Sequence, residues 1–70
     1  MDPREAAMTI FKESGISVNE LYRRAGTLTR FMYHGGKPQA DTLVKIADAC
    51  DYDLILRRRA DGREIIIDEP

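Results

Sequence analysis

Seventy residues, 43% of them hydrophobic and 33% charged, suffice for one folded domain, because two hydrophobic cores cannot be built from so short a chain. The formal net charge of -1 excludes a protein that binds nucleic acid through overall positive charge alone. One cysteine excludes an internal disulfide and makes a thiolate metal cluster implausible, and neither an apolar run of roughly 18 residues nor a signal-peptide pattern is present. We therefore expect a cytoplasmic protein without a cofactor.

The first predicted helix covers residues 3–13. Asp2 is suited to cap it, Pro3 to occupy its first position, and Glu5 to reach back to the cap. Gly15 provides a stop. The side chains that form its apolar stripe are Ala7, Met8, Ile10 and Phe11.

A second helix is predicted to start after Ser17, which forms a capping box with Glu20. Gly26 is predicted to end it in the left-handed conformation that glycine tolerates. The residues expected on its buried face are Val18, Leu21, Tyr22 and Ala25.

Two more helices are predicted in the middle of the chain. The shorter covers residues 28–34, is only about 10 Å long, and needs packing to be stable. Gly35 and Gly36 form a loop, and a stronger helix begins at Ala40 or Asp41. Its expected inward residues are Leu43, Ile46, Ala47 and Cys50.

The pattern then changes to a β-hairpin. Residues 52–58 and 63–68 are rich in β-forming side chains, and the turn signal Ala60-Asp61-Gly62 lies between them. Because two strands alone are scarcely stable in water, we expect the hairpin to pack on the helices and to join two copies of the chain. The candidate dimer-interface residues are Leu54, Leu56, Ile65, Ile66 and Ile67.

The predicted fold is therefore mostly α, with four short helices that include a helix-turn-helix, plus a C-terminal β-hairpin and dimerisation through that hairpin. Residues 1–51 form the helical part and residues 52–70 the hairpin of the same domain.

The centre of the sequence is wholly basic. Between Leu21 and Ala40 the formal charges are Arg23, Arg24, Arg30 and Lys37, while the acids lie towards both ends of the chain. A solvated helix face is the plain interpretation, but the helix-turn-helix layout favours contacts to DNA phosphates and base edges. The candidate DNA-binding residues are Arg23, Arg24, Thr27, Thr29, Arg30, Tyr33, His34 and Lys37.

Other residues that suggest chemistry have simpler interpretations. His34 next to a glycine pair fits a helix C-terminus through the dipole, and Cys50 fits a small core residue. The run Arg57-Arg58-Arg59 suits contact with the DNA backbone, an acidic neighbouring chain, or a soluble hairpin edge, and the nearby acids favour the last two. With no nucleophile and base at useful spacing and too little chain for a substrate pocket, we do not expect an enzyme.

The order of these segments resembles the lambda-repressor-like helix-turn-helix family of small DNA-binding regulators from phages, mobile elements and antitoxins. The resemblance covers about residues 11–58, and it implies a DNA-binding repressor whose last strand serves dimerisation. The matching positions are Ser17, Leu21, Ala25, Gly26, residues 27–31, Gly35, Asp41, Thr42, Leu43, Ile46 and Ala47.

The sequence departs from that family at the turn. About four residues, roughly one helical turn, usually separate the turn glycine from the segment that matches residues 27–31, whereas here Gly26 is followed directly by Thr27. The shortened part is the N-terminal end of the recognition helix, which supplies most base contacts. A second interpretation is therefore a helix-turn-helix protein that binds another protein, such as an anti-CRISPR protein, antirepressor or antitoxin.

Overall fold

The computed structural model describes residues 1–26 and 35–68. Within these ranges the chain forms three helices and one antiparallel hairpin. The elements are α1 (Pro3–Ser14), α2 (Val18–Ala25), α3 (Ala40–Ala49), β1 (Leu54–Arg57) and β2 (Glu64–Ile67). The predicted combination of short helices and a C-terminal hairpin is confirmed. The predicted helix at 28–34 lies outside the described residues.

Side-chain caps fix the starts of α1 and α2 where the sequence predicts them. The Glu5 backbone N–H donates to Asp2 Oδ1 at 2.8 Å, and the Glu20 backbone N–H donates to Ser17 Oγ at 3.1 Å. Each bond satisfies an amide that the helix itself leaves unpaired. Gly15 ends α1 with a φ of 72°, so both ends of this helix are encoded locally.

The third helix holds the others together. It contacts both α1 and α2, and it also contacts β1. Ile46 lies at the centre of the core with no exposed surface, and Ala47 and Cys50 are buried beside it as predicted. Val44 and Ala49 are buried as well, so the buried face of α3 is wider than the periodicity indicated.

The end of α3 turns the chain towards the hairpin through a non-glycine residue in the left-handed region. Asp51 has a φ of 62°, the Asp51 N–H donates to the Asp48 carbonyl at 3.1 Å, and the Tyr52 N–H donates to the Ala47 carbonyl at 2.8 Å. This pair of bonds is a Schellman motif, which usually has glycine at the left-handed position. The Tyr52 hydroxyl then donates to Glu13 Oε2 at 2.7 Å, which ties the start of the hairpin to the end of α1.

Small side chains are common among the core residues that the structure describes. Within residues 1–26 and 35–68, the buried apolar residues are Ala7, Leu21, Ala25, Val44, Ile46, Ala47, Ala49 and Cys50. Four of these eight are alanine, and an alanine side chain buries little apolar surface. A core of this kind gains stability when a partner covers further apolar area.

The hairpin is confirmed with shorter strands than predicted. The register pairs Leu54 with Ile67, Ile55 with Ile66, Leu56 with Ile65 and Arg57 with Glu64. The chain reverses at residues 58–63, where the Arg58 N–H donates to the Arg63 carbonyl at 2.8 Å and Gly62 has a φ of 78°. None of the helices in the described ranges has the length and apolar character needed to cross a membrane.

Candidate nucleic-acid interface

The second helix carries the part of the predicted DNA-binding surface that the structure describes. Its start is fixed by Ser17. Its end is fixed by Gly26, which has a φ of 63° and donates its N–H to the Tyr22 carbonyl at 2.9 Å. Since Gly26 lies in the left-handed region that glycine adopts at helix ends, it acts as the predicted stop before the basic central segment.

Only one narrow stripe of α2 is buried. Leu21 and Ala25 lie in the core, whereas Val18 is 44% exposed and Tyr22 is 53% exposed. The prediction that Val18 and Tyr22 face inward is therefore wrong. The physical reason is that α2 contributes only Leu21 and Ala25 to the core cluster around Ile46, so a broad apolar face is not needed.

The exposed side of α2 joins polar and apolar groups. Val18, Asn19, Tyr22 and Arg23 are all exposed, and their helical spacing places them in one group beside the buried stripe of Leu21 and Ala25. Amide, phenol and guanidinium groups of this kind donate to phosphate oxygens in protein–DNA complexes. The α2 outer face, as we call these four residues, adds Tyr22 to the predicted site. Tyr22 was missed because its spacing matched a core position.

A single carboxylate holds both arginines of α2. Arg24 Nε lies 2.7 Å from Glu20 Oε1, and Arg23 pairs with the other Glu20 oxygen. The hydrogen bonds from Arg24 and then Arg23 lower the pKa of the Glu20 carboxyl. Near neutral pH the three groups therefore carry one net positive charge instead of two, which weakens the attraction of this helix for phosphate.

The two arginines differ in what else they contact. Arg24 Nη1 donates to the Ala49 backbone carbonyl at 3.2 Å, and so it satisfies an unpaired carbonyl at the end of α3. The Arg23 side chain is 76% exposed, against 43% for Arg24. Arg24 thus joins α2 to α3, whereas the more exposed Arg23 is the better placed of the two to contact a ligand.

Of the other predicted DNA-binding residues, the structure describes Lys37. Thr27, Thr29, Arg30, Tyr33 and His34 lie outside the described residues. Lys37 is exposed and lines a shallow groove together with Gly35 and with Asp2 and Arg4 from the start of α1. The structure therefore brings Lys37 beside the beginning of α1.

The predicted dimer-interface residues lie on both faces of the hairpin, and three of the five are exposed. Leu56, Ile65 and Ile66 are exposed, whereas Leu54 and Ile67 are half-buried near α3. Monomeric soluble proteins rarely expose contiguous apolar patches of large extent, and such patches commonly mark interaction sites. Ile55 is also exposed, although the sequence interpretation did not include it, and it pairs with Ile66 on the face of the hairpin opposite Leu56 and Ile65.

Four arginines surround the turn of the hairpin. Arg58 pairs with Asp61 through two hydrogen bonds; these raise the pKa of Arg58 and lower the pKa of Asp61. Arg57, Arg59 and Arg63 are exposed, and their side chains have no hydrogen bond or ion pair to the described residues. The hairpin tip therefore carries a local net positive charge on a chain with a slight negative net charge.

The structure assigns Cys50 to the core. It is buried, and burial raises the pKa of its thiol. A higher pKa lowers the fraction of the nucleophilic thiolate form near neutral pH. The prediction of a small core residue is confirmed. Across residues 1–26 and 35–68, histidine, cysteine and carboxylate side chains do not cluster in groups of three that would hold a metal ion.

In comparisons with known proteins, no family model, no curated protein and no solved structure matches the chain.

Proposed function

We propose that this chain is a small repressor-like regulator that binds duplex DNA as a homodimer. The observation that supports this most directly is the arrangement of α2. The helix is capped at Ser17, stopped at Gly26 and fastened to α3 by Arg24, while it presents the α2 outer face to solvent. A rigid helix with outward donors, directly followed by an acid-free basic segment, suits docking on a phosphate backbone.

Dimerisation through the hairpin is the second part of the proposal. The hairpin exposes apolar residues on both strands, and a domain of only 70 residues gains stability when a partner subunit covers further apolar area. Two-fold symmetry would present two copies of α2 to one duplex, with half-sites about one helical turn apart. Each copy would supply only a few cations, so we expect a duplex to be bound far more tightly by the dimer than by one chain.

Fluorescence anisotropy with a labelled mixed-sequence duplex of about 20 base pairs, roughly two turns, tests this function. Binding should weaken steeply with salt, and Arg23→Ala should lower affinity and reduce the salt slope by about one. Lys12→Ala is the matched control, because it removes one exposed cation from α1. Absence of binding at low salt, or equal losses for the two variants, would reject the proposal.

A protein partner for the α2 outer face is the second candidate. The observation that favours it is the exposure of Val18 and Tyr22 beside two arginines whose combined charge Glu20 halves. If DNA binding is absent, a purified candidate partner from a neighbouring gene should bind the chain. That affinity should depend more on Tyr22→Ala than on Arg23→Ala, and it should change little with salt.

A further inference from the structure

The two faces of the hairpin are chemically different. In an antiparallel pair, opposite residues point to the same side and successive pairs alternate. Leu54, Leu56, Ile65 and Ile67 therefore share one face, which we call the inner face because α3 lies against part of it. The opposite, outer face carries two exposed isoleucines, Ile55 and Ile66, and two residues of opposite charge that lie across from each other in the register, Arg57 and Glu64.

Only the base of the inner face is covered. Leu54 and Ile67 are half-buried, whereas Leu56 is 61% exposed and Ile65 is 52% exposed. These last two residues form one cross-strand pair. The inner face thus continues beyond α3 as an apolar surface that the described part of the chain leaves uncovered.

A groove with acidic walls lies at the base of the same face. It has a volume of about 250 Å³, and the apolar residues that line it include Val44 and the pair Leu54 and Ile67. Its remaining lining includes three carboxylates, Asp48, Asp53 and Asp68. We call this the acidic groove, and its composition suits a side chain with an apolar stem and a positive head, such as arginine.

The opposite end of the hairpin supplies that side chain. Arg63 comes directly before β2, so continued alternation places it on the same side as Ile65 and Ile67. Arg63 makes no side-chain hydrogen bond or ion pair within residues 1–26 and 35–68. The inner face therefore runs from a positive tip, through an apolar centre, to an acidic groove.

This order is self-complementary under two-fold symmetry. Consider two hairpins whose inner faces pack together with opposite strand directions, related by a two-fold axis that passes along the Leu56–Ile65 pair. A residue that lies a given distance from this pair towards the tip of one hairpin then faces a residue that lies the same distance from the pair towards the base of the other. Arg63 is two residues from Ile65 towards the tip, and Ile67 is two residues away towards the base, about 7 Å in each direction. Arg63 of each copy is then brought to the acidic groove of the other.

We infer that the inner face docks against the inner face of a second copy in antiparallel orientation. Leu56 and Ile65 of both copies form the apolar centre, and Arg63 of each copy enters the acidic groove of the other. The inference rests on the homodimer of the proposed function, but not on DNA binding. Charge complementarity selects this face, since on the outer face Arg57 and Glu64 already lie opposite each other.

Two adjacent isoleucines provide a matched test. Ile65 and Ile66 are 52% and 51% exposed on opposite faces, so the same substitution should perturb the folded single chain to a similar extent. In sedimentation velocity without DNA, Ile65→Asp should convert dimer to monomer and Ile66→Asp should leave the dimer intact, with circular dichroism showing that both variants are folded. A monomeric wild type at millimolar concentration, or equal dissociation of both variants, would overturn the inference.

A charge exchange tests the tip and the groove together. Arg63→Glu and Asp48→Arg should each weaken the homodimer at least tenfold at low salt, because like charges then meet at both ends. In an equal mixture of the two variants, the heterodimer has one native contact between Arg63 and Asp48 and one contact in which both charges are reversed. Native mass spectrometry should therefore show the heterodimer as the main species. A statistical mixture of dimers would overturn the proposed contact.

The two proposals fail in different ways. A dimer that behaves as described but binds no duplex in the anisotropy titration rejects the DNA-binding function and leaves the inner-face contact standing. A chain that binds duplex but is dissociated by Ile66→Asp and not by Ile65→Asp rejects the inner-face contact alone.

Discussion

The guanidinium of Arg24 donates to the backbone carbonyl of Ala49 at 3.2 Å, although the two residues lie 25 positions apart in the sequence. This bond closes the end of α3 with a side chain from α2. Glu20, on α2 itself, pairs with the same guanidinium, with Arg24 Nε 2.7 Å from Glu20 Oε1. The Arg24 side chain therefore joins α2 to α3 in addition to the packing of Leu21 and Ala25 in the core.

Removing that arginine should cost stability rather than only charge. Arg24→Ala loses a charge-assisted bond to the Ala49 carbonyl, and we expect the free energy of unfolding to fall by about 1 kcal/mol, which lowers the melting temperature by roughly 4–8 °C in a domain of this size. Arg23→Ala, whose side chain is largely exposed, should change it by less than about 0.5 kcal/mol. Thermal unfolding followed by circular dichroism measures both, and equal shifts would contradict the structural role of Arg24.

Glu20→Gln should strengthen DNA binding. Glu20 pairs with both Arg23 and Arg24, so the neutral amide leaves two uncompensated cations on α2 and removes a carboxylate that would repel phosphate. We expect affinity for a mixed-sequence duplex to rise severalfold at low salt, with a steeper salt dependence. Glu13→Gln on α1 is the control for a general loss of negative charge. If the two variants bind equally, the ion-paired arginines do not face DNA.

Asp51→Gly should stabilise the protein. Asp51 has a φ of 62° in the Schellman turn after α3, and a non-glycine residue there is strained relative to glycine. We expect a gain of about 0.5–1 kcal/mol in the free energy of unfolding, at the lower end of the range seen for improved helix caps. Urea unfolding is the measurement. Asp53→Gly is the control, because Asp53 is not among the positive-φ residues, and it should destabilise the protein or have no effect.

The contact between Tyr52 and Glu13 predicts a loss of stability at high pH. The hydrogen bond to Glu13 raises the pKa of Tyr52 above its ordinary value of about 10. The folded state therefore favours the protonated phenol, so this contribution is fully present below the ordinary pKa and is lost as pH rises through the raised pKa. Tyr52→Phe should be less stable than wild type near pH 7, and the difference should shrink above about pH 10.

Urea unfolding of wild type and Tyr52→Phe at a series of pH values measures that difference. Tyr22→Phe removes an exposed hydroxyl from α2 and is the control for the loss of a phenol as such. A gap between wild type and Tyr52→Phe that stays constant through the alkaline range would show that the hydrogen bond does not control the titration.

The sequence by itself determined the local elements. The caps at Asp2 and Ser17, the stop at Gly26 and the turn at residues 60–62 depend on contacts within a few residues, so they follow from neighbours in the chain. The hairpin followed from its β-forming strands for the same reason. Local periodicity also identified Ile46 and Cys50 as core residues, since α3 is buried along most of one face.

Only the tertiary structure decided which faces are used. Val18 and Tyr22 have the spacing of core residues, yet they are exposed. Which residues of α2 are covered depends on the position of α3, and the sequence of α2 alone does not determine that position. The bond from Arg24 to Ala49 and the acidic groove likewise join residues that are distant in sequence. Hydrogen bonds and charge complementarity depend on distances in space, and these exist only after the helices and the hairpin have packed.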